Sequence, residues 1–187
     1  MVSLTHLWMP ILLAAVLVFI VSSLVHMVLK YHNSDYRPLP NEAAARTALP
    51  GAEVEPGMYV IPHCPDMKDM GSEAMQAKYV EGPVAMLLVR PRGPMAMGKF
   101  LGQWFALTVL VAFATAYLGS RTLAAGTPYL QVHRVTGTIT FLAYATGSCV
   151  NAIWMGYPWR AAVKDAFDAL LFGFVTGGAF GWLWPHA

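Results

Sequence analysis

Four apolar stretches, residues 7–29, 100–118, 135–155 and 161–184, take up almost half of this 187-residue chain and decide the solvent in which it folds. Each is close to the roughly 20 residues that a helix needs to cross the hydrocarbon core of a bilayer. The first, LWMPILLAAVLVFIVSSLVHMVL, contains no Asp, Glu, Lys or Arg, and Pro10 sits near its start, where a missing N–H costs little. With 57% hydrophobic and only 12% charged residues, the chain is far from the roughly 25% charged residues of a soluble domain. The expectation is an all-α membrane protein of four transmembrane helices, with a small mixed α/β cytoplasmic insert between helices 1 and 2. In residue terms, 1–30 is the first transmembrane helix, 31–99 the insert and 100–187 the remaining three helices. No Lys or Arg precedes the first apolar run, which far exceeds the 7 to 15 residues of a signal-peptide core, so this helix is expected to stay as a signal anchor.

Basic residues set the expected orientation, because positively charged flanks resist translocation. Lys30, Arg37, Arg46, Lys68, Lys78, Arg90, Arg92, Lys99, Arg160 and Lys164 fall on the side of the long loop, and only Arg121 and Arg134 fall on the other. The insert is therefore read as cytoplasmic and both termini as outside, in a bacterial inner membrane. Trp8, Tyr117, Tyr129, Trp182 and Trp184 fit an outer aromatic belt; Tyr31, Trp104, Trp154, Tyr157 and Trp159 fit an inner one. A net charge of +2 without a basic stripe excludes nucleic acid as a partner.

The insert carries local signals of its own. Asn41 caps a helix, EAAARTAL, that Pro50-Gly51 ends; Ser72 caps a second over 73–81, which Gly82-Pro83 stops. MYVI at 58–61 and VAMLLV at 84–89 read as short strands that can pair. With no Phe or Trp from 31 to 99 its core is expected to be thin, so it needs the membrane face or a partner to lean on. His63, Cys64, Met67 and Met70 place imidazole, thiol and thioethers together, a donor set that suits a soft metal such as copper. Nothing repeats the pair as closed metal sites do, and packing by an adaptable Met-rich segment is the competing reading. The run 93–99 imitates a phosphate loop, GPMAMGK, but Phe100 stands where the Mg²⁺-binding hydroxyl belongs, so nucleotide chemistry is not expected.

Inside the apolar runs, two features stand out. Gly173, Gly177 and Gly181 are four apart and line one ridge of the last helix, which must meet another backbone closely, by default within the same chain. His26, Gln103, Asn151, Asp165 and Asp168 fall at similar depth near the inner end and form an expected polar layer, since ionisable groups inside a span mark either a pathway or a helix clasp. His26 and His133 lie near opposite surfaces and cannot share a haem iron, and no cofactor is expected. No catalytic signature is present. The function expected is a non-enzymatic packing or docking component, in contact with the lipid bilayer and with a second copy or a membrane-protein partner. The alternatives are a small ion- or proton-coupled transporter using the polar layer and a copper-handling protein using the His63–Met70 segment.

Overall fold

The computed structural model describes residues 2–49 and 54–186. It is mostly helical, with one small two-stranded sheet. In chain order come α1 (Trp8–Ser23), α2 (Glu42–Ala48), β1 (Gly57–Ile61), α3 (Glu73–Glu81), β2 (Ala85–Val89), α4 (Met97–Thr122), α5 (Tyr129–Trp154) and α6 (Trp159–Trp182). Short 3-10 turns at Leu4–Leu7 and Tyr31–Asp35, and a π-helical turn at Leu24–Leu29, extend or follow α1. Residues up to Tyr36 and from Ala96 on form one compact unit, and Arg37–Met95 form another.

The first unit is a helical bundle. Two of its helical runs, Leu4–Leu29 and α4, each of 26 residues, are long and apolar enough to cross a membrane. Helices α5 and α6 match them in length, with 26 and 24 residues, but hold more polar groups. Helix α4 runs past both ends of its apolar stretch, and α5 and α6 begin before theirs, because Lys99, Arg121, Gln131 and Arg134 tolerate helix as well as apolar residues do. Helices α5 and α6 form the closest pair, α1 packs on α4 and α6, and α4 packs on α5. Small and β-branched residues fill the interior: Ala14, Ala15, Ala112, Ala116, Val132 and Ala179, locked by Leu7 and Phe180. Polar groups inside it satisfy one another, with Thr115 and Thr140 hydroxyls 3.2 Å apart and the Trp104 indole donating to Ser22 Oγ at 2.8 Å. Each long helix exposes large apolar side chains, among them Ile20, Leu110, Phe113, Leu142, Val150, Phe167 and Phe174.

The second unit follows the local signals closely. Asn41 Oδ1 accepts from the Ala44 amide at 3.2 Å and starts α2; Ser72 Oγ accepts from Met75 N at 3.3 Å and starts α3. The Pro50-Gly51 stop lies outside the described residues. Strands β1 and β2 pair antiparallel, with Gly57 opposite Val89 and Ile61 opposite Ala85. Met75 is the one buried apolar side chain of this unit among its described residues; Met58, Val60 and Leu88 of the sheet are exposed.

Candidate functional site

The site begins where α1 ends. The π-helical turn Leu24–Leu29 widens the helix around His26, a distortion that is found most often at functional positions. Lys30 then adopts φ 52°, ψ 18°, and its amide reaches Val25 O at 3.1 Å, closing the helix with a non-glycine residue in the left-handed region. Such a residue costs of order 1 kcal/mol and persists where its surroundings hold it. Here they do: the chain folds back as a 3-10 turn, Tyr31–Asp35, whose side chains land on α6.

Three carboxylates gather around His32 of that turn, Asp35 from the turn itself and Asp165 and Asp168 from α6. The Tyr31 hydroxyl donates to Asp168 Oδ1. His32, buried, sets Nε2 against Asp168 Oδ2 at 2.9 Å and Nδ1 against Asp35 Oδ2 at 3.0 Å. Two contacts of this kind need two protons shared among one imidazole and two carboxyl groups, one more than a neutral ring supplies. Asp168 is itself buried within α6, so its oxygens depend on these partners. Asp165, one turn earlier, lies 3.9 Å from His32 Nδ1 and accepts from Ser148 Oγ at 2.7 Å and from the Tyr157 hydroxyl at 3.0 Å. Burial, and then that bond to Asp165, push the Tyr157 phenol up to about 12.

Lys164 closes the far side. Its ammonium donates to Tyr31 O at 2.8 Å, Ser34 Oγ at 2.8 Å and Asp35 Oδ1 at 2.6 Å, so all three N–H groups are used. The Lys164 hydrogen bond holds the Asp35 carboxyl below the usual carboxylate range, against the upward pull of burial. Arg160 adds a bond to Ser34 O at 3.1 Å. Chemically this is a clasp: the chain just beyond the first helix is bolted to the last helix by charge-assisted bonds in a mostly water-poor setting, where such bonds are strongest. No buried side-chain polar atom among the described residues is left without a partner.

His26 stands beside the clasp rather than in it. Its ring stacks on His32 with centroids 4.8 Å apart and planes 1° from parallel, and its Nδ1 bonds to the Ser22 carbonyl at 2.9 Å. A carbonyl only accepts, so Nδ1 carries the hydrogen and Nε2 is the nitrogen left to bind something else. One donor atom from each of His26, His32 and Asp168 lies within 4.8 Å of the others, the one such group of three His, Cys, Asp or Glu among the described residues.

Of the residues expected in a polar layer, the fold thus brings His26, Asp165 and Asp168 to one place. Gln103 and Asn151 are exposed on the outer faces of α4 and α5; the Asn151 carbonyl accepts from Met155 N and Tyr157 N at the end of α5. Tyr31, His32 and Asp35 complete the site; the sequence marks Tyr31 only as a ring of the expected inner belt, and His32 and Asp35 not at all, because they lie beyond the apolar run, where His and Asp are unremarkable. Their one signal is the close spacing of ring and carboxylate in YHNSD directly after an apolar run. In the second unit His63 and the Met67 and Met70 thioethers are exposed, the Cys64 thiol donates to Asp66 O at 3.0 Å, and Met70 O accepts from Gln76 Nε2 at 2.8 Å. The glycine ridge faces α5: a Cβ at Gly173 would lie 2.7 Å from Gly137 O, at Gly177 2.8 Å from His133 O, and at Gly181 2.7 Å from the Tyr129 ring. Compared with protein-family models, with curated proteins and with solved structures, the chain has no match in any of the three.

Proposed function

We propose that the protein is a four-span integral membrane protein, with both ends outside and residues 31–99 on the cytoplasmic side of a bacterial inner membrane, and that it serves as a non-enzymatic packing or docking component. Embedding is supported by the apolar outer faces of α1, α4, α5 and α6, which would be a large exposed patch on a soluble monomer. Spanning by α5 and α6 is supported by partners within the bundle for several of their polar residues: Asp165 with Ser148, Asp168 with His32, Thr140 with Thr115.

The observation that carries the docking role is the thin interior of the second unit, one buried apolar side chain among its described residues and a two-stranded ribbon exposed along β1. A ribbon of two strands is marginal in water without a covering surface. The partner is a second copy or another membrane protein. Amide exchange in β1 and β2 tests this: in native membranes both strands should be protected, and in the purified, detergent-solubilised chain they should exchange at least about tenfold faster, as marginal hairpins do. Equal exchange in the two settings removes the docking role.

A second reading, an ion-coupled carrier, is favoured by Asp168, a carboxylate buried inside a long helix and faced by His32 and Tyr31. It expects Asp168→Asn to fold and reach the membrane but to lose cation flux in reconstituted vesicles. Unchanged flux excludes it.

A further inference from the structure

We infer that His26, His32 and Asp168 form a binding site for a divalent first-row transition metal ion, at the end of the bundle where the π-helical turn leaves α1. This goes beyond the docking role and does not depend on it, since all three residues belong to the helical unit.

The first argument is how the two imidazoles are held. A histidine that ligates a metal through one nitrogen almost always gives its other N–H to a carbonyl or carboxylate, which fixes ring and tautomer. Both rings here satisfy that pattern: His26 Nδ1 on Ser22 O at 2.9 Å, His32 Nδ1 on Asp35 Oδ2 at 3.0 Å. The carboxylate has the same kind of support, with the Tyr31 hydroxyl on Asp168 Oδ1 leaving Oδ2 for a ligand. What remains is one nitrogen from each ring and one carboxylate oxygen.

Spacing is the second argument. His32 Nε2 and Asp168 Oδ2 are 2.9 Å apart, close to the edge of about 3.0 Å that two ligands make when each lies about 2.1 Å from an ion in octahedral coordination. The ion takes the place of the proton now between them. His26 must move, because two parallel rings cannot both point their in-plane lone pairs at one ion. It is exposed and tied by the single bond to Ser22, whereas His32 is fixed at both nitrogens. A tilt of the His26 ring out of the stack brings the third donor in.

Charge and donor type set the ion. Two imidazoles and one carboxylate suit Zn²⁺, Fe²⁺, Co²⁺ and Ni²⁺ better than Ca²⁺, which wants oxygens, or Cu⁺, which wants sulfur. Asp35 and Asp165 add negative charge around His32, opposed by Lys164 and Arg160, which are spent on Asp35 and the Ser34 carbonyl. Three protein ligands, one of them on the exposed side, leave the remaining coordination positions open to water or to a small ligand, as in reactive rather than closed structural sites.

The test uses the full chain purified in detergent, freed of metal by chelation, with Zn²⁺ and Co²⁺ as probes. The wild type should take up one Zn²⁺ per chain, melt about 5–10 °C higher at a Zn²⁺ concentration about a hundred times its Kd, and give visible Co²⁺ bands on replacement. His26→Ala leaves the clasp of His32, Tyr31 and Asp168 in place, so its metal-free melting temperature should be unchanged while its Zn²⁺ affinity falls at least about tenfold. His63→Ala should bind as the wild type does. Absence of Zn²⁺ uptake by the wild type overturns the site, as does uptake that survives both His26→Ala and Asp168→Asn, or uptake lost only in His63→Ala. Should His26→Ala lower the metal-free melting temperature, His26→Gln takes its place, and failing that the Co²⁺ spectrum of the wild type decides: nitrogen-bound bands support the site, and a spectrum no different from aqueous Co²⁺ overturns it.

Discussion

Asp168 ties α6 to the turn after α1 at two points in a buried setting, as the partner of both His32 Nε2 and the Tyr31 hydroxyl. Asp168→Ala leaves both donors facing a void and should cost about 2–5 kcal/mol, the range for stripping a buried polar network of its acceptor. Asp165→Asn keeps an oxygen for Ser148 Oγ and Tyr157 OH, and its side chain is 25% exposed, so it should lose about 1 kcal/mol or less. Thermal unfolding of the two variants in the same detergent checks the order; equal losses would mean that the clasp is held by Lys164 and Asp35 alone. The contrast also explains what could be read in advance. His26 and Asp168 stand out because each interrupts an apolar run where a polar group is costly. Tyr31, His32 and Asp35 do not, since they follow the run in a loop where such residues are common, and nothing marks Lys30 as the left-handed residue that folds them back. Gln103 and Asn151 share the depth of the site but not its direction: position along a helix follows from counting, whereas the side that faces the neighbours depends on the packing.

At the scale of elements, the α5–α6 pair is built on bare backbone. Gly137 and Gly173 face each other so closely that a Cβ on the first would lie 2.9 Å from Gly173 O and one on the second 2.7 Å from Gly137 O. Gly177→Ala puts its methyl 2.8 Å from His133 O and should destabilise by about 1–3 kcal/mol as the helices are forced apart. Gly147→Ala, with nothing within 4 Å of its Cβ, should be neutral or stabilise by up to about 1 kcal/mol, because alanine is the better helix former. Melting curves of the two variants separate a packing role from mere composition; similar behaviour would mean that the ridge is not a tight contact. The ridge on α6 is legible from its spacing of four, but its partner is not: α5 meets it with a single glycine, Gly137, and with Tyr129, His133 and Phe141. The helices of the second unit are legible for the opposite reason, since the Asn41 and Ser72 caps bond to amides three residues on and need no tertiary information, and its two strands are marked by their own apolar runs although they pair across more than twenty residues.

For the whole molecule, the proposed sidedness rests on the division of basic residues, and two of those residues also take part in the clasp. Lys164 and Arg160, from the start of α6, reach back to Ser34 and Asp35 at the exit of α1, so the basic flank is also the end at which the first and last helices are joined. Turning the chain over would carry that ion cluster, and the Arg37–Met95 unit between α1 and α4, across the membrane, against the preference of Lys and Arg for the cytoplasmic side. With Cys64 and Cys149 first replaced, a single cysteine at Glu55 should resist a membrane-impermeant thiol reagent in intact cells and react once the cells are opened. One at Gly126, in the turn between α4 and α5, should react in both states. Labelling of the Glu55 position from outside would reverse the orientation and put Cys64 and His63 in an oxidising compartment, where a disulfide or a periplasmic metal pool becomes relevant to them. It would leave the His26, His32 and Asp168 site intact but move its open side to the exterior, so that the metal it takes would come from outside the cell.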